Sequence, residues 1–84
     1  MRLITVGKSE TNDITLSDNA VSRLHMEIFI DDNDKIFVTD KESTNGTFIN
    51  GNRIVGSKLI SKHDIIKAGN TIVNWKRFIL EDKS

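Results

Sequence analysis

The sequence predicts an all-β fold, a sandwich of short and mostly antiparallel strands, on three observations. The helical i, i+3, i+4 spacing of apolar residues is hard to find anywhere, although no proline interrupts the chain. Short runs rich in isoleucine, valine, threonine and phenylalanine recur instead. Clusters of Gly, Asn, Asp and Ser separate them at regular intervals, as turns separate strands.

In chain order, Arg2 to Val6 is a first strand, stopped by Gly7, and Lys8 to Thr11 is a polar loop. Asn12 to Leu16 is a short strand with Ile14 and Leu16 on one face. Ser17 to Ala20 is a loop leading into Val21-Ser22-Arg23-Leu24-His25. From His25 to Ile30, Met26, Ile28 and Ile30 share one face, and His25, Glu27 and Phe29 share the other. Asp31-Asp32-Asn33-Asp34 reads as a hairpin turn. It is dense in oxygen ligands, but it lacks the glycine at the sixth position and the glutamate at the twelfth that an EF-hand calcium loop needs.

Ile36 to Asp40 is the partner strand, and Lys41 to Gly46 a loop ending in Asn45-Gly46. Thr47 to Ile49 is a very short strand before a second Asn-Gly at Asn50-Gly51. Such pairs supply the positive φ of tight turns, so consecutive bends are expected on either side of Thr47–Ile49. Arg53-Ile54-Val55, Lys58-Leu59-Ile60 and Asp64 to Lys67 are further strands. Thr71 to Leu80 is the longest run and reads as the closing strand, with Trp75 as a core or edge anchor. Glu81 to Ser84 is a tail.

At 84 residues the chain reads as a single domain, 1–84, near the lower limit of what one core stabilises. Without cysteine it has neither disulfides nor a thiolate metal site. Twelve basic residues balance twelve acidic ones. A nucleic-acid binder that neutralises phosphates usually carries a basic excess, so no nucleic-acid partner is expected. Aromatic residues interleaved with basic ones are also missing. No stretch has the length of a membrane span or the form of a signal peptide, which makes cytoplasmic residence the default.

Catalysis is not expected. Ser22 and His25, with Asp40 or Asp64 as an orienting carboxylate, could suggest a nucleophile and its base. Ser22 lacks the glycines of a nucleophile elbow, and two histidines without cysteine suggest neither a metal site nor a cofactor. Binding suits the residues better. Ser22 and Thr44 offer hydroxyl donors, Arg23 a planar fork, and Asn45 a carboxamide that both donates and accepts. Convergent donors of this kind suit a tetrahedral anion, and the Asn45 carboxamide also suits an extended peptide backbone. The residues alone leave a second reading open, in which Ser43, Thr44 and Asn45 only cap their own turn. The Asn45-Gly46-Thr47 glycosylation sequon is read as coincidental.

Taken together, Gly7-Lys8, Asn12-Asp13-Ile14, Ser22-Arg23-x-His25, Asp40, Ser43-x-Asn45-Gly46-Thr47 and Asn50-Gly51 closely resemble the forkhead-associated (FHA) domain, a phosphothreonine-peptide-binding family. The likeness runs from about Ile4 to Leu80. It implies an FHA/SMAD-like β-sandwich of about eleven strands with peptide bound by loops at one end. It also implies a module, cut from a longer protein, that recruits phosphothreonine segments made by Ser/Thr kinases; a monomer is expected. A phosphate-independent interaction module of the same fold is the alternative.

Carried over by position, Lys8, Ser22, Arg23 and Thr44 would hold the phosphate, and Asn45 would hold the peptide backbone. Gly7, His25, Gly46 and Asn50 would be structural, as would Asp40 and Thr47. Lys8 departs from the family, which most often has arginine there. A lysine keeps the charge but loses the bidentate fork. His63-Asp64 stands where a Gly-Asp turn is usual. Asn19-Ala20, uncharged, argues against a strong preference for an acidic residue at peptide position +3.

Overall fold

The computed structural model describes residues 1–77, which fold into two β-sheets around one core. The five-stranded sheet has the order β2 (Ile14–Thr15), β1 (Arg2–Gly7), β3 (Met26–Ile30), β4 (Ile36–Asp40), β7 (Ser57–Ile60). The four-stranded sheet has the order β6 (Asn52–Arg53), β5 (Thr47–Ile49), β8 (Ile66–Ala68), β9 (Thr71–Ile72). Of these pairings β1–β2 is parallel and the rest antiparallel. The all-β sandwich expected from the sequence is the fold, with nine strands among the described residues.

Alternation decides which side chains enter the core. Ile4 on β1 pairs with Ile28 on β3, and Ile28 with Val38 on β4, so these three form one fully buried inward row. Val6 and Met26 form the next. From the second sheet Ile49, Ile66 and Ala68 close over them, with Val21 and Trp75 at the margins. These strand residues are mostly β-branched, which suits a pleated surface buried on one side.

Two turns are built as their sequences require. Asp31 Oδ1 accepts the N–H groups of Asn33 and Lys35, and Asp34 takes a positive φ of 62°. Asn50 and Gly51 take φ of 52° and 85°, the two left-handed residues of a type I′ hairpin turn joining β5 to β6.

The expected closing strand, Thr71 to Leu80, is corrected. Strand geometry ends at Ile72, and residues 75–77 are helical; Phe78, Ile79 and Leu80 lie outside the described residues. After Val73 the chain runs Asn74-Trp75-Lys76-Arg77 with no β-branched side chain, so local preference for extension stops there. Val73 bonds Ile66 O at 2.8 Å, and Trp75 turns into the core at 2% exposure, the anchor expected of it. The Arg53–Val55 strand is also shifted, to Asn52–Arg53. Ile54 is buried with its N–H on Thr47 O, and Val55 is exposed. Among the described residues no helix is long and apolar enough to cross a membrane.

Candidate functional site

Three connections meet at one end of the five-stranded sheet: the loop after β1, the segment leading into β3, and the loop from β4 to β5. The first two are fused by backbone bonds. Lys8 N donates to Ser22 O at 2.9 Å, Ser9 N to Arg23 O at 3.2 Å, and His25 N to Val6 O at 2.8 Å. Asn12 Nδ2 closes the seam on Ser9 O and Arg23 O. Gly7 is required by contact: a Cβ there would stand 2.0 Å from Arg23 O, a backbone atom with no room to yield.

His25 fixes the second segment to the third. It is fully buried; Ser22 N–H donates to its Nδ1 at 3.0 Å, and Nε2 lies 2.8 Å from Gly46 O. A backbone N–H only donates and a carbonyl only accepts. Nδ1 is therefore the acceptor, and Nε2 carries the proton given to Gly46 O.

The β4–β5 loop is organised around Asp40. Its carboxylate accepts from Ser43 Oγ at 2.5 Å, Ser43 N at 3.2 Å and Thr47 Oγ1 at 2.7 Å, and Ser43 Oγ accepts from Gly46 N. Burial pulls the Asp40 carboxyl up, but the bonds from Ser43 and Thr47 outweigh it and hold the group below its ordinary value. Ser43 and Thr47 are buried, and Ser43 caps its own turn through these bonds. Gly46 turns at a φ of 88°.

Thr44 and Asn45 are exposed above this frame. Thr44 N donates to Ser22 Oγ at 3.2 Å, and Asn45 Nδ2 donates to Ala20 O at 2.8 Å. Ser22 Oγ accepts from Thr44 N, and its own hydroxyl hydrogen can still be donated. Lys8 Nζ donates to Asn19 Oδ1 at 2.6 Å across the same rim, and the Arg23 side chain is exposed. Lys8, Ser22, Arg23, Thr44 and Asn45 thus stand on loops tied to one another. Asn50 does not belong with them. At the far end of β5 it donates to Asp64 Oδ1 and accepts from Ile65 N.

The family model described as FHA domain matches residues 4–69. The chain belongs to the FHA domain family. Its sequence is 41% identical over 79 residues to the DNA damage response protein kinase DUN1 of Saccharomyces cerevisiae, covering 86% of this chain and 14% of the kinase. In structure it is similar to the FHA domain of the CT664 protein from Chlamydia trachomatis, with a TM-score of 0.81 and 29% identity over 84% of this chain and 71% of that one. It is similar also to the N-terminal FHA domain of S. cerevisiae Rad53p in complex with a phosphothreonine peptide. There the TM-score is 0.73 and the identity 28%, over 81% of this chain and 56% of that one. The chain spans a small part of the curated relatives it matches.

Sequence reading missed three supports of this FHA domain's rim. Asn12 reads from sequence as the start of a short strand and Asn19 as a loop residue, neither with a partner in view. Asp18 takes Ala20 N at 2.8 Å, Asn70 N at 2.7 Å and Thr71 Oγ1 at 2.8 Å, so it pins the 17–20 loop to the β8–β9 turn. The bonds from Ala20 and Thr71 lead in holding its carboxyl below the ordinary value. The short Asx turn to Ala20 was a visible signal. The reach of 52 residues to Asn70 was not.

Proposed function

We propose that this FHA domain is a phosphothreonine-dependent peptide-binding adaptor, a single cytoplasmic module of a longer protein with no chemistry of its own. It recruits segments phosphorylated by Ser/Thr kinases. The observation that carries the reading is the bond from Thr44 N to Ser22 Oγ, which joins the two donor loops and occupies Ser22 Oγ as an acceptor, so that its hydroxyl hydrogen can be given to a ligand. Ser22 and Thr44 give hydroxyl donors to the phosphate oxygens, and Arg23 and Lys8 supply charge. Lys8 has three N–H donors, so the bond to Asn19 leaves two for a phosphate. Asn45, held by Ala20, presents its remaining amide groups to the peptide backbone. Three or four charge-assisted bonds of about 1.5–3 kcal/mol each, less ordering and desolvation, support roughly micromolar affinity.

A fluorescence-anisotropy titration tests this, using degenerate phosphothreonine, phosphoserine and unphosphorylated peptide pools with a Ser22→Ala control. Micromolar binding to the phosphothreonine pool, weakened at least about tenfold in the variant, is the expected result. Binding indifferent to phosphate would replace the reading with a phosphate-independent interaction module.

A further inference from the structure

The outward face of the five-stranded sheet carries an apolar row that neither the core nor the peptide rim uses. By strand register Leu3 on β1 lies beside Phe29 on β3, Phe29 beside Phe37 on β4, and Phe37 beside Leu59 on β7. All four alternate with inward core residues. Leu3 and Leu59 are 51% and 53% exposed, and the phenylalanines between them are partly covered. Across the sheet the row reads Leu-Phe-Phe-Leu, the same from either edge. The row above it is polar, running Thr5, Glu27, Thr39, Ser57.

Charge on this face divides between its two central strands. Glu27 and Asp31 stand on the β3 side, Lys35 and Lys41 on the β4 side. Asp31 N bonds Lys35 O at the hairpin end, and Lys41 Nζ lies 3.8 Å from Glu27 Oε1 at the other. A two-fold axis parallel to the strands, midway between β3 and β4, would set a second copy face to face with the first. Leu3 then lies over Leu59 of the other copy, Phe29 over Phe37, and Asp31 over Lys35. Glu27 lies over Thr39 of the other copy, so the charge match is the Asp31–Lys35 pair, which the symmetry makes twice, as an isologous interface requires. A net charge of zero leaves no overall repulsion between copies.

We infer that this FHA domain self-associates through the outward face of its five-stranded sheet, with a second copy of the same chain as the partner. With strands about 4.8 Å apart and a rise of about 3.4 Å per residue, the face of four strands from the Glu27 row to the Asp31 row covers roughly 330 Å² per copy. That is below the roughly 800 Å² per partner of a standard interface, so the dimer is weak and exchanges with monomer. Because the axis runs along the strands, both loop ends emerge on the same side. On the peptide-binding reading the dimer is bivalent, and this consequence alone rests on that reading.

Sedimentation velocity without peptide, from about 10 µM to 1 mM, brackets a dissociation constant in the high micromolar range. The weight-average mass is expected to climb toward twice the monomer, while an NMR dilution series shifts the resonances of Leu3, Phe29, Phe37 and Leu59 together. Lys35→Glu, which sets a second acidic group against Asp31 of the other copy, should weaken association at least about fivefold. Leu3→Ser with Leu59→Ser should abolish it and leave phosphothreonine-peptide affinity unchanged. A mass that stays flat over the whole range overturns the inference. So does association unmoved by Lys35→Glu, or dilution shifts confined to the loop residues; both would place any contact elsewhere. Should the double variant fail to fold, the wild-type series and Lys35→Glu still decide.

Discussion

The two Asn-Gly pairs are the same dipeptide five residues apart, and the fold puts them to different uses. At Asn50-Gly51 both residues are left-handed, so the pair is the hairpin turn itself. The Asn50 side chain faces back into the molecule, clamping the β5–β6 turn onto Asp64 and Ile65. At Asn45-Gly46 only the glycine has positive φ. That leaves Asn45 on the rim, with one amide hydrogen on Ala20 and the rest exposed. Backbone conformation, not residue identity, separates a clamp from an exposed rim group.

Paired alanine substitutions break the comparison most directly. Asn45→Ala is expected to lower phosphothreonine-peptide affinity about tenfold or more, with under about 1 kcal/mol of stability lost, since its partner Ala20 O stays accessible to water. Asn50→Ala should do the reverse. It removes two hydrogen bonds and places alanine at a φ of 52°, for a loss of about 1–2 kcal/mol. Affinity should remain within about twofold, because no binding group moves. Urea midpoints and anisotropy titrations on the same samples separate the two effects. Equal losses of affinity would show that the clamp and the rim are one unit.

How much of this was legible follows from the range over which each feature acts. The inward faces of β3 and β4, the Asp31 turn and the Asn50-Gly51 turn are set within a few residues, and alternation or turn chemistry displays them. The end of β9 was misread because Trp75 looks the same in a strand as in a turn that buries it. Asp18, Lys8 with Asn19, and the Leu3–Phe29–Phe37–Leu59 row depend on register between distant segments, which one sequence does not display. The resemblance supplied the roles expected of Ser22, Thr44 and Asn45, but not the bonds among their loops.

Acid should loosen both turns, through different carboxylates. Asp64 is held below its ordinary value by Ser61 N and then by Asn50, at the clamp. Asp40 is held below it against burial, by Ser43 and Thr47, under the rim. A carboxyl depressed by folding contributes stability that is present above its unfolded value, and that is lost as pH falls through the folded one. Both contributions are therefore intact at neutral pH and fade through and below the ordinary value of 3.8. Urea midpoints are expected to fall as pH drops from neutral toward 3, and Asp40→Asn or Asp64→Asn should each flatten that slope. A slope unchanged in both variants would assign the acid sensitivity to Asp18, the remaining carboxyl lowered by its bonds among the described residues.

The smallest expected effect is the sharpest test of the rim. Lys8→Arg retains the charge and adds a planar fork that grips two phosphate oxygens at once. Arginine still offers donors for Asn19, so the loop contact survives the change. Affinity for a phosphothreonine peptide is expected to rise about threefold, a fraction of one charge-assisted bond. Its dependence on salt should become shallower, because a directional bidentate contact is screened less than a mobile point charge. Stability should stay within about 0.5 kcal/mol, since Lys8 is exposed and its backbone bond to Ser22 O is untouched. Affinity that moves while stability does not is the opposite of the pattern at Asn50, and it would place Lys8 with Asn45 among the groups that touch the ligand. An unchanged affinity would instead leave the Lys8 ammonium to Asn19, with the phosphate held by Ser22, Arg23 and Thr44 alone.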